Sequence, residues 1–386
     1  MNKITNITSE IANTTTAVKS LAFKLGFSDI RITNANPFNE HRDITLKRID
    51  DGLMDGLDWY TKDRVKRGTN PEEILPGAQS IISLSLNYFV DTPAKQTTNT
   101  PSGRVAKYAW EHDYHKVMSK KLKLFTKELT LLLGESFKSK SYVDTGPMLD
   151  RSVAARAGLG WYGKHTNIIT PNHGSWVFLS QIITDLELSE DMPLKKNCGT
   201  CKICIIECPT QAIIAPYVLD NKRCISYLTI ESKGSIPKEL RALIGDWVFG
   251  CDICQDVCPV NHDIEPTKEP QFQPGEHSFS SLDLIPLLEI TQDEFDTKFS
   301  GSPIKRAKRT GLIRNVCVAL GNIGDKRAVG PLGKSLNHED PLIREHAAWA
   351  LAQIGTKEAH QLLVDASIRE TDEQVQKELA SYQKPK

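Results

Sequence analysis

No stretch of this chain stays apolar for long, and neither sign of charge is in excess. The longest apolar runs, such as Ile81 to Leu86 and Leu129 to Leu133, fall far short of the roughly 18 residues that cross a bilayer. The opening MNKITNITSE has no apolar centre of the kind a secretory signal needs. These absences predict a cytoplasmic protein without a membrane partner. Lys and Arg total 48 and Asp and Glu also 48, which taken whole argues against a protein that coats nucleic acid. What is present excludes disorder and collagen-like repeats: 39% of residues are hydrophobic and 25% charged, and 386 residues are enough for two or three domains.

Cysteine is the exception to this evenness. Eight of the nine cysteines lie between 198 and 258, and in a reducing compartment such a cluster points to metal rather than to disulfides. Cys198-x2-Cys201-x2-Cys204-x3-Cys208-Pro209 has the spacing of bacterial ferredoxins, in which three thiolates hold one 4Fe-4S cube and the fourth cysteine reaches a second cube. Zinc needs only four ligands and does not require this run. The second set, Cys251-x2-Cys254-x3-Cys258-Pro259, lacks a leading cysteine, and Cys224 is the thiol available to replace it. The expected wiring is therefore crossed: Cys198, Cys201, Cys204 and Cys258 on one cluster, Cys208, Cys224, Cys251 and Cys254 on the other. Cys317 sits in the helical pattern LIRNVCVALG and reads as a small core residue.

Around this module the chain changes character, and the fold expected is multidomain α/β plus α. Residues 1–190 alternate helical and strand-like segments, as an α/β domain does. Ile11, Val18, Leu21, Ala22 and Leu25 recur at helical spacing up to Gly26, strands are expected at Asp29 to Thr33, Ile81 to Tyr88, Lys140 to Val143 and Ser175 to Thr184, and a helix over Val117 to Leu133. Residues 191–267 form the ferredoxin-like module, and KEPQFQPGEHS, 268 to 278, reads as a linker. Residues 278–386 are helical and repetitive: LIRNVCVALGNIGDKRAVGPL and LIREHAAWALAQIGTKEAHQLL share a pattern at a period of 30 to 31 residues, the helix-pair repeat of a HEAT-like solenoid.

Net neutrality also hides a local excess. Lys305, Arg306, Lys308, Arg309 and Arg314 occur within ten residues with no acid among them, after the acidic stretch that holds Asp283, Glu289, Asp293, Glu294 and Asp296. Such a run is either a solvated face or a docking patch for phosphates.

The segment from Asp144 to Thr166 fails two familiar motifs. Gly158-x-Gly160-x-x-Gly163 follows a helix-like stretch rather than a strand, and Gly158-x4-Gly163-Lys164 has His165 where a phosphate loop needs Ser or Thr. What remains is a glycine-rich turn whose backbone can approach a large ligand, with Lys164, His165 and Asn167 able to hydrogen-bond to it. Asp144 stands at the end of an apolar run, just before a Thr-Gly-Pro turn, where a carboxyl either forms the turn or does chemistry.

VDTGPMLDR, RAGLGWYGKHT, CGTCKICIIECPTQAI, RCISYLTIE and CDICQDVCPVN, in this order and followed by the HEAT-like tail, resemble the epoxyqueuosine reductases. These enzymes complete the queuosine base of transfer RNA. The resemblance implies cobalamin in the N-terminal domain, two 4Fe-4S clusters, tRNA bearing epoxyqueuosine as substrate, an unidentified electron donor, and Asp144 as a proton donor kept protonated by desolvation. It also implies cofactor contacts at Arg67, Asp144, Lys164, His165, Asn167, Ser226, Tyr227 and Asp252, and tRNA contacts along the basic run. The first two domains are similar to reductive dehalogenases as well. The histidine-ligated cobalamin pattern is not met: Asp113-Tyr114-His115 is followed by Met118 where Gly is required. A monomer is expected. Two other functions fit parts of the chain: a cobalamin reductase of a small substrate, and an iron-sulfur electron carrier with no substrate site.

Overall fold

The alternation in Ser80–Asn87, SIISLSLN, puts Ile82, Leu84 and Leu86 on one face of a strand and Ile81, Ser83 and Ser85 on the other, and all eight residues are buried. In the computed structural model, which describes residues 2–91, 100–275 and 278–382, this strand is central in a four-stranded sheet of order 29–34, 80–87, 177–184, 139–142. Every junction is antiparallel, with Ile82 opposite Ile182 and Ser83 opposite Gln181. The expected strands and helices of this region form within a few residues of their anticipated bounds. Helices Asn2–Lys24 and Tyr114–Leu133 cover the aliphatic face and bring Val18, Leu21, Met118, Leu122, Phe125 and Leu129 into one core. The helix Asp150–Arg156 lies over the other face, where Ile81, Ile183, Met148 and Val153 pack together. Beside them the side chains of Ser83, Ser85 and Gln181 are buried with polar atoms left unpaired.

A second sheet ties the segments together. Trp247–Phe249 runs parallel to Ser102–Val105, which pairs antiparallel with Ser281–Asp283. Each strand comes from a different one of the three expected domains. A single core runs from Val105 and Trp110 through Leu240 and Phe249 to Leu312 and Leu351. One hydrophobic core therefore crosses the expected breaks at 190, 267 and 278. The linker corrects likewise: Phe272 is buried in the N-terminal core, and Glu269 pairs with Lys121 at 2.7 Å. Residues 276 and 277 of that stretch lie outside the described residues, as do 383–386 of the tail.

The tail is helical, as expected, with the pairs Lys308–Ile323 and Val329–Ser335, then Pro341–Ile354 and Lys357–Arg369, and a last helix Glu373–Ala380. Gly324 and Gly355 close equivalent helices in left-handed conformation, φ 72° and 67°. Gly321 allows the first repeat to meet the second, since a Cβ there would lie 2.6 Å from the Trp349 ring. Cys317 is fully buried, as a core residue should be. No helix among the described residues is long and apolar enough to cross a membrane.

Candidate active site

The cysteines gather into two groups. Burial pushes the Cys204 thiol up to about 11, and its charge neighbours are Cys198, Cys258 and Cys201. Cys258, raised by burial, has Cys198 and Cys201 beside it. In the other group burial lifts Cys254 well above its ordinary value, with Cys251 and Cys224 adjacent, and Cys251 has Cys224 and Cys208 as neighbours. The fold thus juxtaposes the sets that crossed wiring requires. No three His, Cys, Asp or Glu side chains among the described residues stand close enough to share one ion; a four-iron cube, with one thiolate per iron, needs its ligands farther apart than zinc does. Four thiols converging from separate loops are a donor set suited to such a core, whose positive charge would offset the repulsion between their thiolates. Cys224, Cys251 and Cys254 are half-buried, and burial raises each thiol.

Several residues expected at the cofactor lie close to these thiols. Lys164 is buried and donates from Nζ to the carbonyls of Gly199 and Cys201, each at 2.7 Å, which braces the first cysteine loop. The backbone N–H groups of Ser226 and Tyr227 and the Ser226 hydroxyl lie near the Cys224 thiol and partly offset the upward push of burial. Asp252 accepts from the Lys107 backbone N–H at 2.7 Å, and burial pushes its carboxyl up to about 7.

Asp144 follows the strand Ser139–Tyr142 and takes a positive φ of 41°, a conformation Asp tolerates better than most residues. Its carboxylate is held from two sides. Tyr114 donates its hydroxyl to Oδ2, and His115 Nε2 lies 2.7 Å from Oδ1. His115 Nδ1 is in turn 2.7 Å from Asp113 Oδ1. Burial works against a charge on His115, but the bonds to Asp113 and Asp144 outweigh it and push the imidazolium up to about 9. Burial also opposes charge on Asp113, whose carboxyl the His115 contacts nevertheless hold below its ordinary range. The Tyr114 ring stacks on His115 at 4.0 Å and on Phe178 at 4.2 Å, and its phenol is driven well up by burial and by Asp144. Arg64 donates to the carbonyls of Thr145 and Gly146 and so ties down the next turn. The desolvation expected of Asp144 is not supplied by the chain, since 46% of the side chain is exposed.

Tyr114, His115, Asp113 and Arg64 were not anticipated as functional residues. The signal lay in Asp113-Tyr114-His115, which fails as a cobalt-ligating pattern but opens the 114–133 helix, with Asp113 as its cap. Arg67, expected at a cofactor, is on the exposed side of the helix Lys62–Gly68.

Unpaired buried polar atoms line the sheet face beneath the helix Asp150–Arg156. They include Asp150 Oδ1, both amide atoms of Gln181, the hydroxyls of Ser83 and Ser85, and His165 Nε2. Asp150 is half-buried, and burial pushes its carboxyl up to about 7. His165 accepts from the Asn167 N–H through Nδ1, so Nε2 carries a hydrogen without an acceptor, and burial holds the ring neutral, down to about 4. Buried donors and acceptors are rarely left unmatched. These fit a large ligand rich in amides and hydroxyls.

The basic run divides. Arg306 and Lys308 are exposed. Arg306 pairs with Glu231 and has Asp144 and Tyr114 among its charge neighbours, so the run reaches the active site. Lys305 pairs with Asp296, and Arg309 donates to the Ile290 carbonyl at 2.7 Å. Arg314 corrects the expectation outright: it is fully buried, and its guanidinium donates to the carbonyls of Leu228, Ser232 and Gly234. It ties the solenoid to the cysteine module and cannot touch a phosphate.

Known proteins match along the chain. A model for a 4Fe-4S double cluster binding domain covers residues 197–261, one for epoxyqueuosine reductase QueG, DUF1730, covers 69–145, and one for HEAT repeats covers 307–382. The epoxyqueuosine reductase of Cellulophaga algicola is 41% identical over 299 residues, 78% of this chain and 95% of that protein. A crystal structure of epoxyqueuosine reductase with a tRNA-Tyr epoxyqueuosine-modified stem loop superposes with a TM-score of 0.87 at 33% identity, covering 94% of this chain and 96% of that one. The Bacillus subtilis epoxyqueuosine reductase, in a structure whose catalytic Asp loop is swung out of the active site, has a TM-score of 0.87 at 31% identity, with the same coverage.

Proposed function

This chain belongs to the epoxyqueuosine reductase family, and on that premise we propose that it reduces epoxyqueuosine to queuosine in the anticodon loop of tRNA, with Asp144 passing the proton that lets the ring oxygen leave. Two electrons and two protons convert the epoxide to an alkene and water. Cobalamin, when bound, supplies a strongly reducing centre, and two 4Fe-4S clusters supply electrons one at a time. Cys198, Cys201, Cys204 and Cys258 would hold one cluster and Cys208, Cys224, Cys251 and Cys254 the other. The orphaned buried groups at Ser83, Ser85, Asp150, His165 and Gln181 would face the cobalamin. One chain contributes all of these groups, so a monomer is sufficient, and reduced thiols with a tRNA substrate suit the cytoplasm.

The observation that carries the role of Asp144 is its exposed carboxylate between two donors. An oxygen leaving a strained ring accumulates negative charge and needs a proton within hydrogen-bond reach. Asp144 is accessible, and His115 holds a proton against it at 2.7 Å. The proton that the departing oxygen takes through Asp144 is supplied by His115 Nε2, and Asp113 stabilises the imidazolium until then. Tyr114 keeps the carboxylate aimed. Arg306, near this opening, and the exposed Lys308 two residues on would hold phosphates of the anticodon stem loop. The test is conversion of epoxyqueuosine-tRNA to queuosine-tRNA by protein reconstituted with both cofactors. Asp144→Asn should retain iron, sulfide and cobalamin but lose turnover; full turnover by that variant removes Asp144 from the chemistry.

A further inference from the structure

The reaction consumes two electrons that the substrate cannot provide, so on the proposed reading a carrier must meet this chain twice per turnover. The two thiol groups differ in where they stand. The group of Cys208, Cys224, Cys251 and Cys254 adjoins the active site. Asp252, between two of these cysteines, bonds to the backbone of Lys107, and the next residue, Tyr108, packs edge-on to Tyr114, which holds Asp144. Among the described residues the group of Cys198, Cys201, Cys204 and Cys258 shows no bond to the residues that hold Asp144; Lys164 braces its loop, and exposed apolar side chains stand beside it.

That surface is apolar with a basic rim. Ile203 and Ile206 of the short helix Ile203–Ile206 are exposed at 40% and 74%, and Ile214 and Val260 at 53% and 40%. The first two flank Cys204, and Val260 follows Cys258 by two residues. Between Asp191 and Glu207 the chain carries Lys195, Lys196 and Lys202 and no acid, and all three lysines are exposed. Lys196 reaches over the Trp161 ring at 5.4 Å, and Trp161 packs against Cys258 and Cys198. Isoleucines exposed beside redox thiols do nothing for the folded chain, and exposed apolar clusters mark contact sites. Lysines around an apolar centre steer an acidic partner to it and set its orientation without binding tightly. Brief, weak contact is what repeated one-electron delivery needs.

We propose that the face formed by Ile203, Ile206, Ile214 and Val260, rimmed by Lys195, Lys196 and Lys202, is where a small acidic one-electron carrier protein docks. In each encounter the reduced carrier is oxidised by one electron, and this chain gains that electron at the Cys198, Cys201, Cys204 and Cys258 site.

The holoprotein can be tested with flavodoxin as the carrier and reduced methyl viologen as a small reductant that needs no docking face. The variants are Lys195→Glu with Lys202→Glu, and separately Ile206→Asp. Each should raise the KM for reduced flavodoxin by roughly tenfold or more, weaken calorimetric binding of oxidised flavodoxin equally, and leave turnover with methyl viologen and the midpoint potentials unchanged. Unchanged flavodoxin binding and KM in both variants overturns the proposal. So does an equal loss with methyl viologen accompanied by shifted potentials, because the lysines then only offset the charge of the metal site. The binding measurement requires no turnover; if no reductant yields queuosine while binding still depends on these residues, the proposed substrate fails and the docking face stands.

Discussion

The Nε2 atom of His115 lies 2.7 Å from Oδ1 of Asp144, and the Nδ1 of the same ring lies 2.7 Å from Oδ1 of Asp113. With its proton held up to about 9, His115 is cationic at neutral pH. Turnover should hold through neutrality and fall as pH rises through about 9. His115→Gln, which keeps a hydrogen bond but no titrating proton, should slow turnover by about 10²-fold and abolish that alkaline limb. A pH–rate profile compares the two, and an identical limb in the variant excludes His115 from the proton path. The same ring makes a stability contribution of definite sign: it is complete below the ordinary value of 6.5 and disappears as pH rises through about 9.

Arg314 should behave as a structural residue despite its place in a basic run. Removing it in Arg314→Ala leaves the buried Leu228 carbonyl and the part-buried carbonyls of Ser232 and Gly234 without their donor, which costs about 2–4 kcal/mol. Thermal unfolding should report that loss. The salt dependence of tRNA binding, measured on the fraction that folds, should not change.

Arg306→Ala and Lys308→Ala should do the opposite, with tRNA binding weakened and folding stability nearly intact. Removing one phosphate interaction lowers the slope of log K against log salt by about 0.7 for a single-stranded loop. Filter binding at several salt concentrations gives the slope, and a slope equal to the wild type in both variants would move the docking site elsewhere.

Crossed cluster wiring has a spectroscopic consequence. Cys258→Ala should perturb the same electron paramagnetic signal as Cys201→Ala, although the two residues lie far apart in sequence, and Cys254→Ala, only four positions from Cys258, should perturb the other. Pairing of the Cys258 and Cys254 effects would mean that each cysteine run holds its own cluster.

Much of this molecule was legible in the chain because its signals are local. The cysteine spacings, the strand-like SIISLSLN and the repeat with its closing glycines each follow from contacts a few residues long. The repeat also held a warning about the basic run. Arg314 and Arg344 occupy the same place in the two copies, and Arg344 also bonds to loop carbonyls, those of His338 and Glu339. A residue that recurs with the repeat belongs to its architecture before it belongs to a ligand. The serines of SIISLSLN carried a second unread signal, since a strand buried on both faces with polar residues on one of them needs a polar occupant there.

The sequence by itself determined the elements, the two sets of thiols and the family, because spacing and periodicity are properties of neighbouring residues. Only the tertiary structure decided that Lys164 braces a cysteine loop, that Arg314 is walled in by carbonyls, and that His115 and Tyr114 flank Asp144. Those outcomes depend on which remote backbone or side chain arrives opposite a given group. The physical reason is that burial and pairing set what a charge can do, and both are fixed here by residues 29 to 86 positions away.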